Sequence, residues 1–284
     1  MSHRKWQIGD VTVTCIEELE VTGLSKFLLP QATEEEALKI DWLQPHFANE
    51  KGELVMAIQA LVVKTPDLTI VVDTCIGNDK PRAVPPWNKM QTAFLDDFKA
   101  AGFDPDGVDI VLCTHLHVDH VGWNTMLVDG KWVPTFPNAR YLFARTEYDH
   151  AMSDEDAENQ QVMSDSVTPV FEAGLVELVE TTHRVSDHVS LVPTHGHTPG
   201  HVSILIESKE DSALITGDFV HHPCQMAHPD WCSTFDTGPD EAVKTRERIF
   251  GIYEGTQTLI IGTHFAKPTA GHVVRDGPVW KLKV

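Results

Sequence analysis

The chain has 284 residues, 42% of them hydrophobic, which suits a large buried core and is ordinary for a globular protein. Its net charge is −20, from 22 basic and 42 acidic residues, and a surface of that sign repels polyanions, so no nucleic acid is expected as a partner. No apolar run approaches the length that spans a bilayer, and MSHRKWQIGDVTV has no apolar stretch behind its basic residues, so neither membrane association nor a secretory signal is expected. Cys15, Cys75, Cys113, Cys224 and Cys232 are scattered, with no close C-x-x-C pair. That pattern predicts buried thiols in a reducing, cytoplasmic setting and no zinc ribbon.

In chain order, VTVTCIEEL, LVMAIQALVVKT and LTIVVDTC read as strands, rich in β-branched residues and bounded by turn formers. An insertion around residues 20–53 separates the first two. In it Thr33 is an N-cap before three glutamates and opens a short helix. The remainder of the insertion reads as an extended loop serving a site or an interface. KMQTAFLDDFKAAGFDP reads as an amphipathic helix with Phe94, Leu95 and Phe98 on one face and Gly102 as its stop. VDIVLCTH is a buried strand, ARYLFA another, and TEYDHAM a helix. SDEDAENQQVMSDS is polar and poorly patterned. Strands follow at HVSLVPT, VSILIES, SALITG and TLIIGT, with a helix at GPDEAVKTRERIFGIYE. Alternating strands and helices predict an α/β layered fold, and the absence of repeats or a flexible linker predicts a single domain over 1–284.

Four polar clusters follow apolar strands: THLHVDH, THGHTPGH, TGD and GTHF. Residues just beyond strand ends converge on one edge of such a sheet. His115 and His117 are two apart and can face one side of an extended segment, while Asp119 and His120 need a tight turn to face a second centre. Imidazoles and carboxylates together suit zinc, manganese, iron or cobalt. Two ions about 3.5–4 Å apart, with a carboxylate between them, could share so many donors.

THLHVDH resembles the H-x-H-x-D-H signature of the metallo-β-lactamase superfamily, and VVDTC, HTPGH, GD and GTH stand in the family's order around it. The resemblance implies an αββα sandwich, two mixed sheets with outer helices, holding two divalent metal ions, zinc first among them. Carried over residue by residue, His115, His117 and His201 hold one ion and Asp119, His120 and His264 the other. Asp218 bridges the two, and Asp73 supports the ligand loop from behind. His195 and His197 are read as neighbours of the ligand His201 rather than ligands. Cys113 is read as core.

The resemblance further implies that a metal-bridging hydroxide attacks the substrate, with Asp119 passing a proton to the leaving group. Acyl-homoserine lactonases of this superfamily carry a tyrosine three positions after the bridging aspartate. His221 stands there, either as a hydrogen-bond donor to the oxyanion or as an ordinary loop residue. The C-terminal half looks similar to the branch of methyl parathion hydrolase and related lactonases, with Gly271 and His272 matching a Gly-His pair; that branch commonly forms homodimers. A small-molecule substrate with an ester or lactone bond is the leading expectation, with organophosphate triesters as a side activity. Thioester hydrolysis of the glyoxalase II kind, β-lactamase-like amide hydrolysis and a non-catalytic metal module are the rival readings. Trp123 is left between a pocket wall and core, and Phe136, Trp231 and Phe265 are further aromatic candidates for a pocket.

Overall fold

The computed structural model describes residues 3–284. Contacts divide the chain into two compact units, each made of two stretches. One holds the chain up to Glu18 with Ile58–Thr181, the other Leu19–Ala57 with Thr182–Val284.

Strands β1 (Lys5–Ile8), β2 (Val11–Thr22), β3 (Val55–Lys64), β4 (Thr69–Val72) and β5 (Ile110–Leu112) begin the first sheet. A separate hairpin, β6 (Thr125–Val128) with β7 (Lys131–Pro134), interrupts it before β8 (Arg140–Ala144) and β9 (Val176–Val179). The sheet order is β1-β2-β3-β4-β5-β8-β9. Its pairing changes from antiparallel at β3–β4 to parallel from β4 through β9. The second sheet runs in sequence order, β10 (Val189–Pro193), β11 (Val202–Ser208), β12 (Asp211–Ile215), β13 (Leu259–Ile261), β14 (Ala270–Asp276) and β15 (Val279–Lys283). Only β12–β13 is parallel there. Two mixed sheets with helices make the class α/β, as the alternation predicts.

Outside its expected helix, the insertion contradicts its reading as an extended loop. It forms α1 (Ser25–Leu28), α2 (Glu34–Ala37) and a 3₁₀ turn at Asp41–Leu43. Thr33 caps α2 as expected, its hydroxyl accepting the Glu36 N–H at 3.2 Å. Leu29, Ala32, Ala37, Ile40, Leu43, Phe47 and Leu54 are buried in the second unit's core, among Leu214, Phe219, Phe250, Phe265 and Trp280. Apolar residues spaced through short turns have neither a helical nor a strand period, so the pattern hid their burial.

Helix α3 (Phe94–Ala100) begins later than the sequence suggests. Thr92 is held outside it, its N–H on Asn78 Oδ1 at 2.8 Å and its hydroxyl donating to Glu18 at 3.2 Å. Gly102 ends the turn at φ +97°, where a side chain would be strained. Helix α4 (Arg145–Ser153) matches TEYDHAM. The poorly patterned stretch after it is helical too, as α5 (Ala157–Val162), a π turn at Met163–Val167 and α6 (Thr168–Glu172). Asp156 caps α5 through the N–H groups of Glu158 and Asn159. In the π turn Asp165 points inward, fully buried, and takes both ends of the Arg82 guanidinium at 2.7 and 3.0 Å. The Lys80 ammonium lies 3.8 Å from the same carboxylate and 3.8 Å over the Trp132 ring, and burial pulls its pKa down to about 7. An inward ion pair removes the amphipathic stripe that marks a helix in sequence. Helices α7 (Cys224–Ala227) and α8 (Pro239–Tyr253) belong to the second unit.

Removing one partner of a buried ion pair strands the other. Asp165→Ala strands the buried Arg82 guanidinium, and a loss of about 3–5 kcal/mol in urea unfolding is expected. A loss under about 1 kcal/mol would show that the cluster is incidental to the first unit.

Candidate metal centre

In the first unit the cluster begins where β5 ends. Asp73, one residue past β4 and held at φ +56°, is buried. Its Oδ1 accepts the Thr114 N–H at 2.8 Å, and its Oδ2 accepts the Thr114 hydroxyl at 2.9 Å. Oδ2 also takes the Nδ1–H of His120 at 2.9 Å. With its own proton committed to Asp73, the Thr114 hydroxyl is an acceptor for His115 Nδ1 at 3.1 Å. One carboxylate thus sets the tautomer of two histidines, and in both the Nε2 keeps its lone pair.

The rings of His115 and His120 are 4.0 Å apart and those of His115 and His117 4.6 Å, so these three imidazoles share one pocket of the loop. Asp119 turns its Oδ1 to within 3.7 Å of His120 Nε2. The loop is pinned from several sides. Thr74 N–H bonds the His120 carbonyl at 2.8 Å, Gly122 N–H bonds Cys75 at 2.7 Å, and buried Glu147 of α4 accepts the Leu116 N–H at 3.1 Å. Gly122 is required there, because a Cβ would lie 1.8 Å from the Ile76 carbonyl oxygen.

Trp123 is core rather than pocket wall. It is 4% exposed, stacks on Phe94 at 5.4 Å and donates its indole N–H to Glu18 at 2.6 Å. Burial pushes the Glu18 carboxyl up, against the N–H of Ile76 and the Trp123 indole that hold it charged. The other aromatic candidates are buried as well: Phe136 packs on Phe98, Phe265 on Phe47, and Trp231 stacks on His228.

The second unit repeats the same chemistry with hydroxyls. Ser203 donates to the Thr216 carbonyl at 2.6 Å, so its oxygen accepts the Thr194 hydroxyl at 2.9 Å. Thr194 must then accept His201 Nδ1–H at 2.8 Å. His201 Nε2 keeps a lone pair, which takes the backbone N–H of Asp218 at 2.7 Å. His264 gives its Nδ1–H to the Ala57 carbonyl at 2.9 Å, and its Nε2 faces Asp218 Oδ1 at 3.2 Å. On the other side Asp218 Oδ2 lies 3.2 Å from His221 Nε2 and 3.7 Å from His197 Nε2. Asp218 sits in a 3₁₀ turn at φ −104°, ψ 15°, behind Gly217 at φ +58°.

Of the expected residues, His115, His117, Asp119 and His120 come together in the first unit, and His201, Asp218, His221 and His264 in the second. Cys224 is buried, and Cys232 Sγ accepts from the Arg246 guanidinium at 3.2 Å. Gly271 lies where a Cβ would meet the Lys283 carbonyl at 2.6 Å, and His272 turns Nδ1 to Thr258. Asp236, which holds His197 Nδ1 at 2.9 Å, was missed. So were Thr114, Thr194 and Ser203. The threonines could have been found, since each directly precedes a histidine cluster at a strand end; Asp236 has no local signal.

The donor set fits divalent cations. His264 Nε2 against Asp218 Oδ1 is acceptor facing acceptor, and so is His120 Nε2 against Asp119 Oδ1. Such pairs repel unless a cation or an added proton lies between them. Borderline cations take this mix of imidazole and carboxylate.

His222, beside this centre, is a neutral imidazole. It donates Nε2–H to the Phe47 carbonyl at 2.8 Å, and burial lowers its pKa to about 4. Unfolded, it titrates near 6.5, so between the two values the unfolded chain binds the extra proton. Stability should therefore fall as pH drops from 6.5 toward 4, by about 3 kcal/mol in total. Urea unfolding at pH 7 and 4.5, with His222→Gln as control, checks this; equal slopes in both proteins would refute it.

A model of the metallo-beta-lactamase superfamily matches residues 55–272. Among curated relatives, N-acyl homoserine lactonase AiiA of Bacillus thuringiensis subsp. kurstaki is 31% identical over 121 residues, 42% of either chain. The N-acyl homoserine lactonase AttM of Rhizobium radiobacter is 29% identical over 125 residues, 43% of this chain and 44% of the relative. The match thus spans less than half of these relatives. Among solved structures, AidC, a dizinc quorum-quenching lactonase in complex with a product, has a TM-score of 0.81 at 20% identity, covering 99% of this chain and 97% of that one. These relatives stand on the lactonase side of the expected resemblance and do not single out the methyl parathion hydrolase branch. The shared architecture is the α/β metallo-β-lactamase fold. With the matched region running from β3 into β14, through every histidine cluster described above, the chain belongs to the metallo-beta-lactamase superfamily.

Proposed function

We propose that the protein is a dinuclear metal-dependent hydrolase that opens a small lactone, with the N-acyl homoserine lactones as its substrate class. The observation that carries this reading is the facing of lone pairs: His264 Nε2, its own proton tied to Ala57, stands 3.2 Å from a carboxylate oxygen of Asp218. We assign His115, His117 and His201 to one ion, Asp119, His120 and His264 to the other, and Asp218 to both. The relatives' names support the lactone, and the donor chemistry supports two ions, zinc first. We take residues 1–284 as one domain, place it in the cytoplasm on its five free cysteines, and expect a homodimer.

Two bound divalent ions would supply Lewis acidity and a water activated at neutral pH. The chain's own residues do the rest. Asp73 and the Thr194–Ser203 pair keep the imidazole lone pairs turned inward. Asp218 holds its carboxylate between His264 and His221. Asp119, half-buried at the loop's edge, is placed to hand a proton to the leaving oxygen. His221 is fixed by its backbone N–H on Gln225 Oε1 at 2.7 Å, and its ring can donate to a carbonyl oxygen that gains charge.

Metal analysis should find about two divalent ions per chain. One or none would overturn the dinuclear assignment. Asp218→Ala should lose metal and activity together, whereas an active, fully loaded variant would remove its bridging role. His221→Ala should keep its metal while kcat falls by about 100-fold; unchanged kcat would return it to the loop. Turnover of N-acyl homoserine lactones should exceed that of aryl esters, thioesters, β-lactams and phosphotriesters in a common screen. Preference for any of the others would displace the lactone.

A further inference from the structure

Asp236 is buried, at 8% exposure, and each of its oxygens is committed. Oδ1 takes the Nδ1–H of His197 at 2.9 Å. Oδ2 takes the Ser233 N–H at 3.0 Å and lies 3.6 Å from the Arg246 guanidinium. Arg246, fully buried on α8, is anchored on the carbonyls of Pro229 at 2.7 Å and Phe219 at 3.2 Å. A line of contacts therefore runs from Arg246 through Asp236 to His197 and ends at Asp218, whose Oδ2 lies 3.7 Å from His197 Nε2. The backbone of His197 is fixed as well. Its carbonyl takes the Thr237 N–H at 2.9 Å, and at Gly196, with φ +126°, a Cβ would lie 2.2 Å from the Ala242 nitrogen.

A carboxylate behind an imidazole decides which nitrogen carries the proton. Here Asp236 holds it on Nδ1, so Nε2 presents a lone pair to the Asp218 carboxylate, acceptor toward acceptor once more. We propose that Asp236 is a positioning residue of the metal centre, which through His197 supplies an auxiliary nitrogen that helps retain the ion on Asp218. This rests on the two-ion reading. It gives His197 a role beyond the neighbour of a ligand that the sequence suggested.

Asp236→Asn separates this role from simple packing. Ser233 N–H and Arg246 require an acceptor where Oδ2 stands, so the amide oxygen takes that place and the NH₂ turns to His197 Nδ1. Nδ1 must then accept, the proton moves to Nε2, and the inward lone pair is lost. The experiment loads wild type, Asp236→Asn, His197→Phe and the double variant with zinc. It follows zinc loss to a chromophoric chelator and the melting of the metal-free proteins. Zinc should leave Asp236→Asn and His197→Phe at least about tenfold faster than wild type, with little change in metal-free melting. The double variant should be no faster than His197→Phe alone, because the two residues act in series. His197→Gln, with an oxygen near the former Nε2, should recover part of the retention.

Wild-type retention in Asp236→Asn would overturn the proposal. So would full additivity in the double variant, which would mean Asp236 acts through Ser233 and Arg246 instead. If Asp236→Asn fails to fold, His197→Phe against His197→Gln decides: equal, wild-type retention in both overturns it. A wild type that takes up no zinc fails before any comparison and overturns the two-ion reading with it.

Discussion

A neutral imidazole can offer a lone pair inward only if its one N–H is spent on an acceptor outward. The two histidine clusters meet that constraint at five of their rings. His120 spends its proton on Asp73, His115 on Thr114, His201 on Thr194, His264 on the Ala57 carbonyl and His197 on Asp236. Each acceptor is qualified for the role by its own commitments. Asp73 and Asp236 are carboxylates, Ala57 offers a carbonyl, and the two threonine hydroxyls have already given their protons to Asp73 and Ser203. No donor is left pointing inward from these rings.

This arrangement works against stability in the absence of a cation, since buried lone pairs are brought together where water would otherwise solvate them. The surrounding backbone accordingly holds the clusters at several points rather than one. The Gly122 loop lies against the Ile76 carbonyl too closely for any side chain, and the Glu147 carboxylate of α4 reaches the Leu116 N–H from behind. In the second unit Thr263 ties the 3₁₀ turn of Asp218 to β13, accepting the Gly217 N–H while its own N–H meets Thr216 Oγ1. Parallel pairing at β4–β5 and at β12–β13 delivers Asp73 with THLHVDH, and Asp218 with His264, to neighbouring strand ends.

The strands that carry the clusters were legible because each is a short β-branched run that ends directly in polar residues. THLHVDH also carries its own spacing, so four candidate residues could be named from seven letters. What was not legible is what depends on distant chain. Asp236 meets His197 from 39 residues away, and nothing in STFDTGPD marks it. The π turn around Asp165 reads as polar coil, since its carboxylate is inside only by virtue of Arg82, 83 residues earlier. The insertion reads as loop because Leu29, Ile40, Leu43 and Phe47 reach the core from successive turns, without a period. Trp123 could be settled only once Phe94 and Glu18 were known to flank it.

The carbonyls that residues 19–57 supply have a temporal consequence. Ala57 meets His264 across 207 residues, and Phe47 meets His222 across 175. During synthesis residues 19–57 emerge early, but the rest of their unit begins only at Thr182. The ribosome must make the whole intervening unit while Leu29, Ile40, Leu43 and Phe47 have no core to enter. Long-range closure of this kind slows folding and prolongs the exposure of apolar chain. The histidine cluster of the first unit can therefore form on the nascent chain, while that of the second waits for the C-terminal sheet.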